Sequence, residues 1–151
     1  NTPGRLADME ADYFETSWRV ICFGAFLFAR EALRRMASTG EGTILFTGAS
    51  ASLRGRPGFG AFNSAKAALR NMAQAMAKEY APDGIHVGHV VVDGGIFGDK
   101  ILTRRPDIVH RVGEDGLISI DGIVDAFFFL HKQPKSAWSF EVDVRTSKEN
   151  W

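Results

Sequence analysis

The sequence predicts an α/β protein with about three parallel strands and flanking helices. Residues 43–47 and 85–92 are nearly continuous apolar runs, the pattern of strands that are covered on both faces. Segments with apolar residues at helical spacing alternate with these runs, which favours right-handed crossovers and a parallel sheet. The 151 residues are expected to form a single domain over residues 1–151.

The first half of the chain contains a polar loop, a long helix and a strand. Residues 1–8 include Pro3 and Gly4 and predict an incoming loop. Apolar residues recur every three or four positions over 9–36, so we expect one long helix that ends before Gly40. Its many apolar residues imply more than one buried face. The strand over 43–47 follows.

The second half continues with alternating helices and strands. Residues 61–80 predict a helix that Pro82 and Gly84 end, and its alanines allow another helix or subunit to approach closely. After it we expect a strand over 85–92, a glycine-rich loop, a helix over 121–132 that buries its Phe-Phe-Phe-Leu run against the sheet, and an alternating strand over 138–144.

Composition argues against several classes of function. Basic and acidic residues number 18 each, so no net field attracts nucleic acid or a membrane. Cys22 is the only cysteine and predicts a buried thiol in a reducing, cytoplasmic setting. No apolar run is long enough to span a bilayer. The basic runs 54–56 and 104–105 suggest solvated loops, with phosphate contact as the alternative.

One group of residues points to a particular chemistry. Ser50 follows the first strand, and Phe62 and Lys66 lie four residues apart at the start of the next helix, hence on one face of it. A serine in this place is also a common helix or turn cap, and a helix lysine is often simply exposed. By contrast, His86 and His89 are three apart on a strand and face opposite sides, which argues against a shared metal.

The segment from Gly42 to Lys66 resembles the active-site segment of the short-chain dehydrogenase/reductase family. That resemblance implies a partial Rossmann-like fold and assigns Ser50 to polarise the substrate and Lys66 to hold the nicotinamide ribose and lower the pKa of a tyrosine. Phe62 stands where that tyrosine would give or take the substrate proton, and it has no hydroxyl group. The resemblance also implies an NAD or NADP cofactor bordered by Gly94 and Ile96, although flexibility would equally explain the glycines of that loop.

The resemblance covers the second half of a family member. Its landmarks are the long helix, the strand after Gly42, the residues that continue from Lys66 and the final strand over 140–145. The family binds pyrophosphate on a Gly-rich turn after the first strand. The two nearest patterns here, starting at Thr47 and at Gly55, do not reproduce it, so NAD or NADP is not expected to bind this chain alone.

Two further positions depart from the family pattern. Ile21 replaces the asparagine of the long helix, and Gly98 replaces a threonine of the nicotinamide loop. We therefore expect an NAD(P)-dependent oxidoreductase by resemblance that is catalytically impaired or incomplete. The alternative is a non-catalytic module that forms homo-oligomers through the helices 9–36 and 61–80. A third possibility is a ligand pocket lined by Phe62, Phe97 and Ser50.

Overall fold

The computed structural model describes residues 2–149 and contains a sheet of three parallel strands. The strands are β1 (Gly42–Ala49), β2 (Ile85–Asp93) and β3 (Glu141–Arg145), in the spatial order β1-β2-β3. The predicted parallel α/β sheet is therefore confirmed. Both central apolar runs are strands, and each extends slightly beyond its predicted bounds.

The register brings the carboxyl ends of the strands to one edge of the sheet. Ala49 at the end of β1 lies beside Val92, and Asp93 at the end of β2 lies beside Arg145. Among residues 2–149, β1 pairs only with β2, so its outer edge has no partner strand. In open parallel sheets, ligands bind beyond the carboxyl ends of the strands.

The long helix predicted over 9–36 begins two residues later, at Ala11, and is not one regular α-helix. It consists of α1 (Ala11–Trp18), a π-helical turn (Arg19–Phe23) and α2 (Gly24–Ala37). Trp18 and Phe23, five residues apart, stack with ring centroids 5.9 Å apart across this turn. The predicted burial of Cys22 is confirmed.

Two further helices cover the two faces of the sheet. Helix α3 (Gly60–Tyr80) follows the prediction and packs with α2 on one face, where small residues such as Ala29 and Ala73 are fully buried and permit close approach. Helix α6 (Ile120–His131) covers the other face. Ser119 caps α6, since its Oγ accepts a hydrogen bond from the Gly122 N–H at 3.0 Å.

The Phe127 to Leu130 run is only partly buried, so this part of the prediction was wrong. Leu130 is fully buried and Phe127 packs beside it, whereas Phe128 and Phe129 are 52% and 55% exposed. Successive helical residues point about 100° apart, so four consecutive side chains cannot all face one sheet.

Two short helices between Gly98 and Ile118 have no counterpart in the sequence prediction. They are α4 (Asp99–Arg104) and α5 (Ile108–Val112). The base of this excursion is closed by two backbone hydrogen bonds, from the Phe97 N–H to Ile118 O and from the Ile118 N–H to Gly95 O, both 2.8 Å. The segment that contains α4 and α5 is therefore held next to the carboxyl end of β2.

The last strand begins three residues later than predicted. The Ser139 N–H donates to Gln133 Oε1 at 2.8 Å and the Trp138 ring N–H to Gln133 O at 3.3 Å, so this stretch is hydrogen-bonded to Gln133 before β3 starts.

The chain ends complete the description. In the predicted N-terminal loop, residues 6–8 form a 3-10 turn, and Asn1 lies outside the described residues. Over residues 2–149 no helix is both long and apolar enough to cross a membrane.

Candidate active site

Ser50 and Phe62 meet in one cavity beyond the carboxyl ends of the strands. The cavity has a volume of about 460 Å³ and is also lined by Arg54, Asn63 and Glu149. The other predicted site residues do not line this cavity. They are Lys66, one helical turn after Phe62, and Gly94 and Ile96, which follow β2. The structure therefore unites part of the predicted constellation.

The two serines after β1 have different roles. Ser52 is buried, and its Oγ accepts a hydrogen bond from the Ala49 N–H at 3.2 Å, so it caps the turn. The Ser50 side chain instead lines the cavity. The serine that caps this turn is thus Ser52.

Phe62 contributes a phenyl ring, which has no ionisable group, to the cavity lining. Its ring separates the 460 Å³ cavity from a second one of about 270 Å³, which Tyr13 and Ile21 also line. The Lys66 ammonium lies 5.9 Å from the centroid of the Phe62 ring. The predicted placement of these two residues on one helix face is confirmed, and the ring offers the cation only its π-face.

Lys66 is anchored rather than freely solvated. Its Nζ donates a hydrogen bond to the Thr47 carbonyl at 2.7 Å, which ties α3 to the end of β1. Burial lowers the pKa of Lys66 below its ordinary value, because the charged form loses hydration. An ammonium has three donors, so two remain for other partners.

Asp93 ends β2 as a buried carboxylate, only 1% exposed. Arg54 holds it through Nη2, 3.0 and 2.9 Å from its two oxygens, and Arg145 Nη1 lies 3.8 Å away. A buried charge requires such partners. The pairing fixes the loop after β1 against the ends of β2 and β3.

A second ion network lies behind the cavity, between α3 and the sheet. Glu141 accepts hydrogen bonds from Arg70 at 2.6 and 2.8 Å and contacts His89 Nδ1 at 2.9 Å. Burial lowers the pKa of His89 despite that contact, and the Arg70 hydrogen bonds lower the pKa of Glu141. Because a carboxylate only accepts, the neutral His89 ring carries its proton on Nδ1.

Sequence reasoning missed both ion networks. Their partners are far apart in sequence: Asp93 is 39 positions after Arg54, and Glu141 is 52 positions after His89. The available signal was chemical: an ionisable residue within, or at the end of, an otherwise apolar strand requires a partner.

The predicted cofactor residues Gly94 and Ile96 lie on the loop after β2. Gly94 has a φ of 153°, a conformation that favours glycine over other residues. Ile96 is exposed and forms an isolated parallel bridge with Ile118. The loop is therefore held in place at the mouth of the site.

Comparisons with known proteins agree with this architecture. Residues 1–97 match the family described as short chain dehydrogenase. An NADPH-dependent aldehyde reductase-like chloroplastic protein of Arabidopsis thaliana is 31% identical over 111 residues, which are 73% of this chain and 41% of that protein.

Solved structures show the same relationship. The crystal structure of a short-chain dehydrogenase from Rhodopseudomonas palustris is 37% identical with a TM-score of 0.74, covering 96% of this chain and 57% of that one. A gluconate 5-dehydrogenase from Burkholderia cenocepacia, solved with NADP and tartrate, is 20% identical with a TM-score of 0.79, over 95% of this chain and 58% of that one, and shows the shared fold.

The chain spans about half the length of the relatives that it matches. Within that span the order of elements, the parallel sheet and the matched residues agree with one another. On this evidence the chain belongs to the short-chain dehydrogenase/reductase family and represents part of such a protein.

Proposed function

We propose that this chain is the substrate-side part of a short-chain dehydrogenase/reductase-type oxidoreductase whose proton-transfer step is impaired. The observation that carries the proposal is Phe62, a residue without a proton to transfer, between the cavity that holds Ser50 and the anchored Lys66. Loss of a general acid or base typically costs a factor of about 10² to 10⁴ in rate.

The remaining side chains keep binding roles in this proposal. Ser50 donates a hydrogen bond to a substrate oxygen in the cavity. Lys66 keeps two N–H donors for ribose hydroxyls, since only one is used on Thr47. The lowered pKa of Lys66 reflects burial, and the nearby Phe62 ring supplies no ionisable partner.

The loop after β2 fits the nicotinamide end of NAD or NADP. Gly94 has no Cβ and is exposed, so a ligand can approach its backbone closely. Such a cofactor, when bound, supplies hydride chemistry. The 151 residues contain no Gly-x-x-x-Gly-x-Gly turn for the pyrophosphate, so we propose that the chain alone does not hold the dinucleotide.

Titration of NADPH followed by nicotinamide fluorescence tests this proposal. The expected result is no saturable binding in the micromolar range. Micromolar affinity would contradict the proposed lack of a dinucleotide site.

A homo-oligomeric module is the second candidate function, and exposed apolar side chains on the helix pair α1–α2 favour it. Trp18, Val20, Leu27 and Phe28 are all substantially exposed, and Phe28 is 78% exposed. The unpaired edge of β1 adds backbone groups that favour association. Several large apolar side chains exposed on one helix pair favour a protein interface, and a second copy is the proposed occupant. Light scattering in solution tests it, and a stable monomer would contradict it.

A further inference from the structure

A third cavity lies beside the one that Ser50 lines, and three arginines border it. It has a volume of about 380 Å³, and Arg56, Arg105 and Arg111 line it together with Gly95 and Glu149. We propose that this cavity binds the charged group of a small organic anion, a carboxylate or a phosphate.

The three arginines that line the cavity come from separate parts of the chain. Arg56 belongs to the loop after β1, Arg105 follows the last residue of α4, and Arg111 lies in α5. The buried side chain of Ile108 anchors α5. The fold, rather than one helix face, brings these three arginines to one cavity, which is the arrangement expected of a binding site.

These cations are poorly neutralised by the protein. Within residues 2–149, Arg56 and Arg105 form no ion pair, and the Asp107 carboxylate is 3.7 Å from Arg111 in an exposed pair. The Arg56 guanidinium lies 5.3 Å from the Phe59 ring centroid, which orients it without neutralising it. Donors of planar guanidinium groups suit the oxygens of carboxylates and phosphates.

Glu149 is the acidic residue that opposes them. It lines both cavities, and the neighbouring Lys148 holds its segment in place by donating to the Glu114 carbonyl. In the described part of the chain, the Glu149 carboxylate forms no ion pair with an arginine. It therefore lies at the rim of the positive cluster and would compete with an incoming anion.

Gly95 lines the cavity at a position that has no room for a side chain. A Cβ at Gly95 would lie 2.9 Å from Leu117 Cδ2 and 3.0 Å from Ile101 Cδ1. Glycine at this position keeps the space below the arginines open without displacing either neighbour.

The two cavities share Arg56 and Glu149 as a common wall. The two cavities are therefore neighbours. Volumes of 460 and 380 Å³ suit a metabolite-sized ligand. Naming this anion as the substrate class rests on the proposed function, whereas anion binding itself does not.

The local nature of the charge favours a small ligand over a polyanion. The whole chain has 18 basic and 18 acidic residues and so no net attraction for nucleic acid. Three arginines around a cavity, in a protein with no net charge, favour an anion that is small enough to enter the cavity.

Isothermal titration of the chain with inorganic phosphate and with succinate, at low ionic strength and without NADPH, tests the site. We expect saturable binding of at least one anion and none of the uncharged succinamide. The phosphate and succinate arms identify which anionic group the site prefers.

Matched variants locate the binding. Arg105→Gln and Arg56→Gln should each weaken anion binding at least about fivefold, whereas Arg104→Gln removes a neighbouring charge that does not line the cavity and should leave the Kd unchanged. Glu149→Gln should tighten binding, because it removes the competing charge.

Two outcomes would overturn the site. One is no saturable binding of either anion by the unmodified chain. The other is an equal loss in Arg104→Gln and Arg105→Gln proteins whose circular dichroism spectra match the parent, which indicates non-specific charge attraction. Because NADPH is absent from this experiment, failure here is distinct from failure of the proposed function.

Discussion

At the scale of single residues, Phe62 has the greatest chemical consequence. It keeps the shape of an aromatic side chain beside Lys66 and the Ser50 cavity, and it lacks the hydroxyl through which a proton would move. The neighbouring residues are held in place, Lys66 by Thr47 and the loop after β1 by the Arg54–Asp93 pair. The residues around Phe62 are therefore held in place, and the phenyl ring among them carries no hydroxyl group.

Phe62→Tyr restores that hydroxyl and gives two expected results. The new phenol should ionise at lower pH than the phenol of Phe129→Tyr, because the Lys66 cation is near position 62 and favours the phenolate, whereas position 129 is 55% exposed. The difference is measurable by ultraviolet titration against the parent chain. With NADPH and benzaldehyde, Phe62→Tyr should still show no turnover by this chain. NADPH oxidation by Phe62→Tyr, absent in Phe129→Tyr, would contradict the proposed lack of a dinucleotide site.

His89 predicts how stability depends on pH. Burial lowers its pKa in the folded state below the ordinary value of 6.5. As pH falls below 6.5 the unfolded chain therefore binds more protons, and the free energy of unfolding decreases by up to about 1.4 kcal/mol per pH unit. The lowered pKa of Glu141 acts in the same direction, but only near and below its ordinary value of 4.5.

His89→Gln should reduce the loss of stability between pH 7 and pH 5, as measured by urea unfolding at each pH. The matched control is His110→Gln, which changes an exposed histidine. The same pH dependence in the His89→Gln protein and the parent would refute the assignment.

At the scale of elements, apolar periodicity predicted every strand and every long helix, because burial fixes which positions are apolar. It could not reveal the π-helical turn at Arg19–Phe23, since one inserted residue scarcely changes the pattern. Helices α4 and α5 are too short for a periodic signal. The Arg54–Asp93 and His89–Glu141 pairs depend on tertiary contacts, which a single sequence does not specify.

The fit between β1 and β2 predicts the effect of a side chain at Gly48. A Cβ there would lie 2.3 Å from the His89 ring, and the surrounding strand cannot easily move. Gly48→Ala should reduce the free energy of unfolding by about 1–3 kcal/mol. In Gly55→Ala the nearest atom is 3.9 Å away, so this control should change stability far less. Equal effects in urea denaturation would count against the packing at β1.

The exposed face of α2 predicts the effect of a charge on assembly. Phe28→Glu places a carboxylate in the proposed contact between copies and should shift the population to monomers in analytical ultracentrifugation. Ser38→Glu adds the same charge at the exposed end of the helix and should leave the oligomer intact. A parent chain that is already monomeric, or an oligomer that Phe28→Glu does not disturb, would exclude this surface.

At the scale of the whole molecule, the chain has the parallel sheet and flanking helices of the short-chain dehydrogenase/reductase family over about half the length of its relatives. We propose that Ser50, Lys66 and the loop after β2 face a substrate and the nicotinamide end of a cofactor. Together with Phe62, the lack of a Gly-rich pyrophosphate turn in the 151 residues leads us to propose that the chain alone neither holds the dinucleotide nor turns over a substrate.

NADPH titration of the chain, followed by nicotinamide fluorescence, tests this account most directly. The proposal predicts no saturable change below millimolar NADPH, and the same result for Lys66→Met. Micromolar binding by the parent chain that Lys66→Met abolishes would contradict it, because it would show a complete dinucleotide site within these 151 residues.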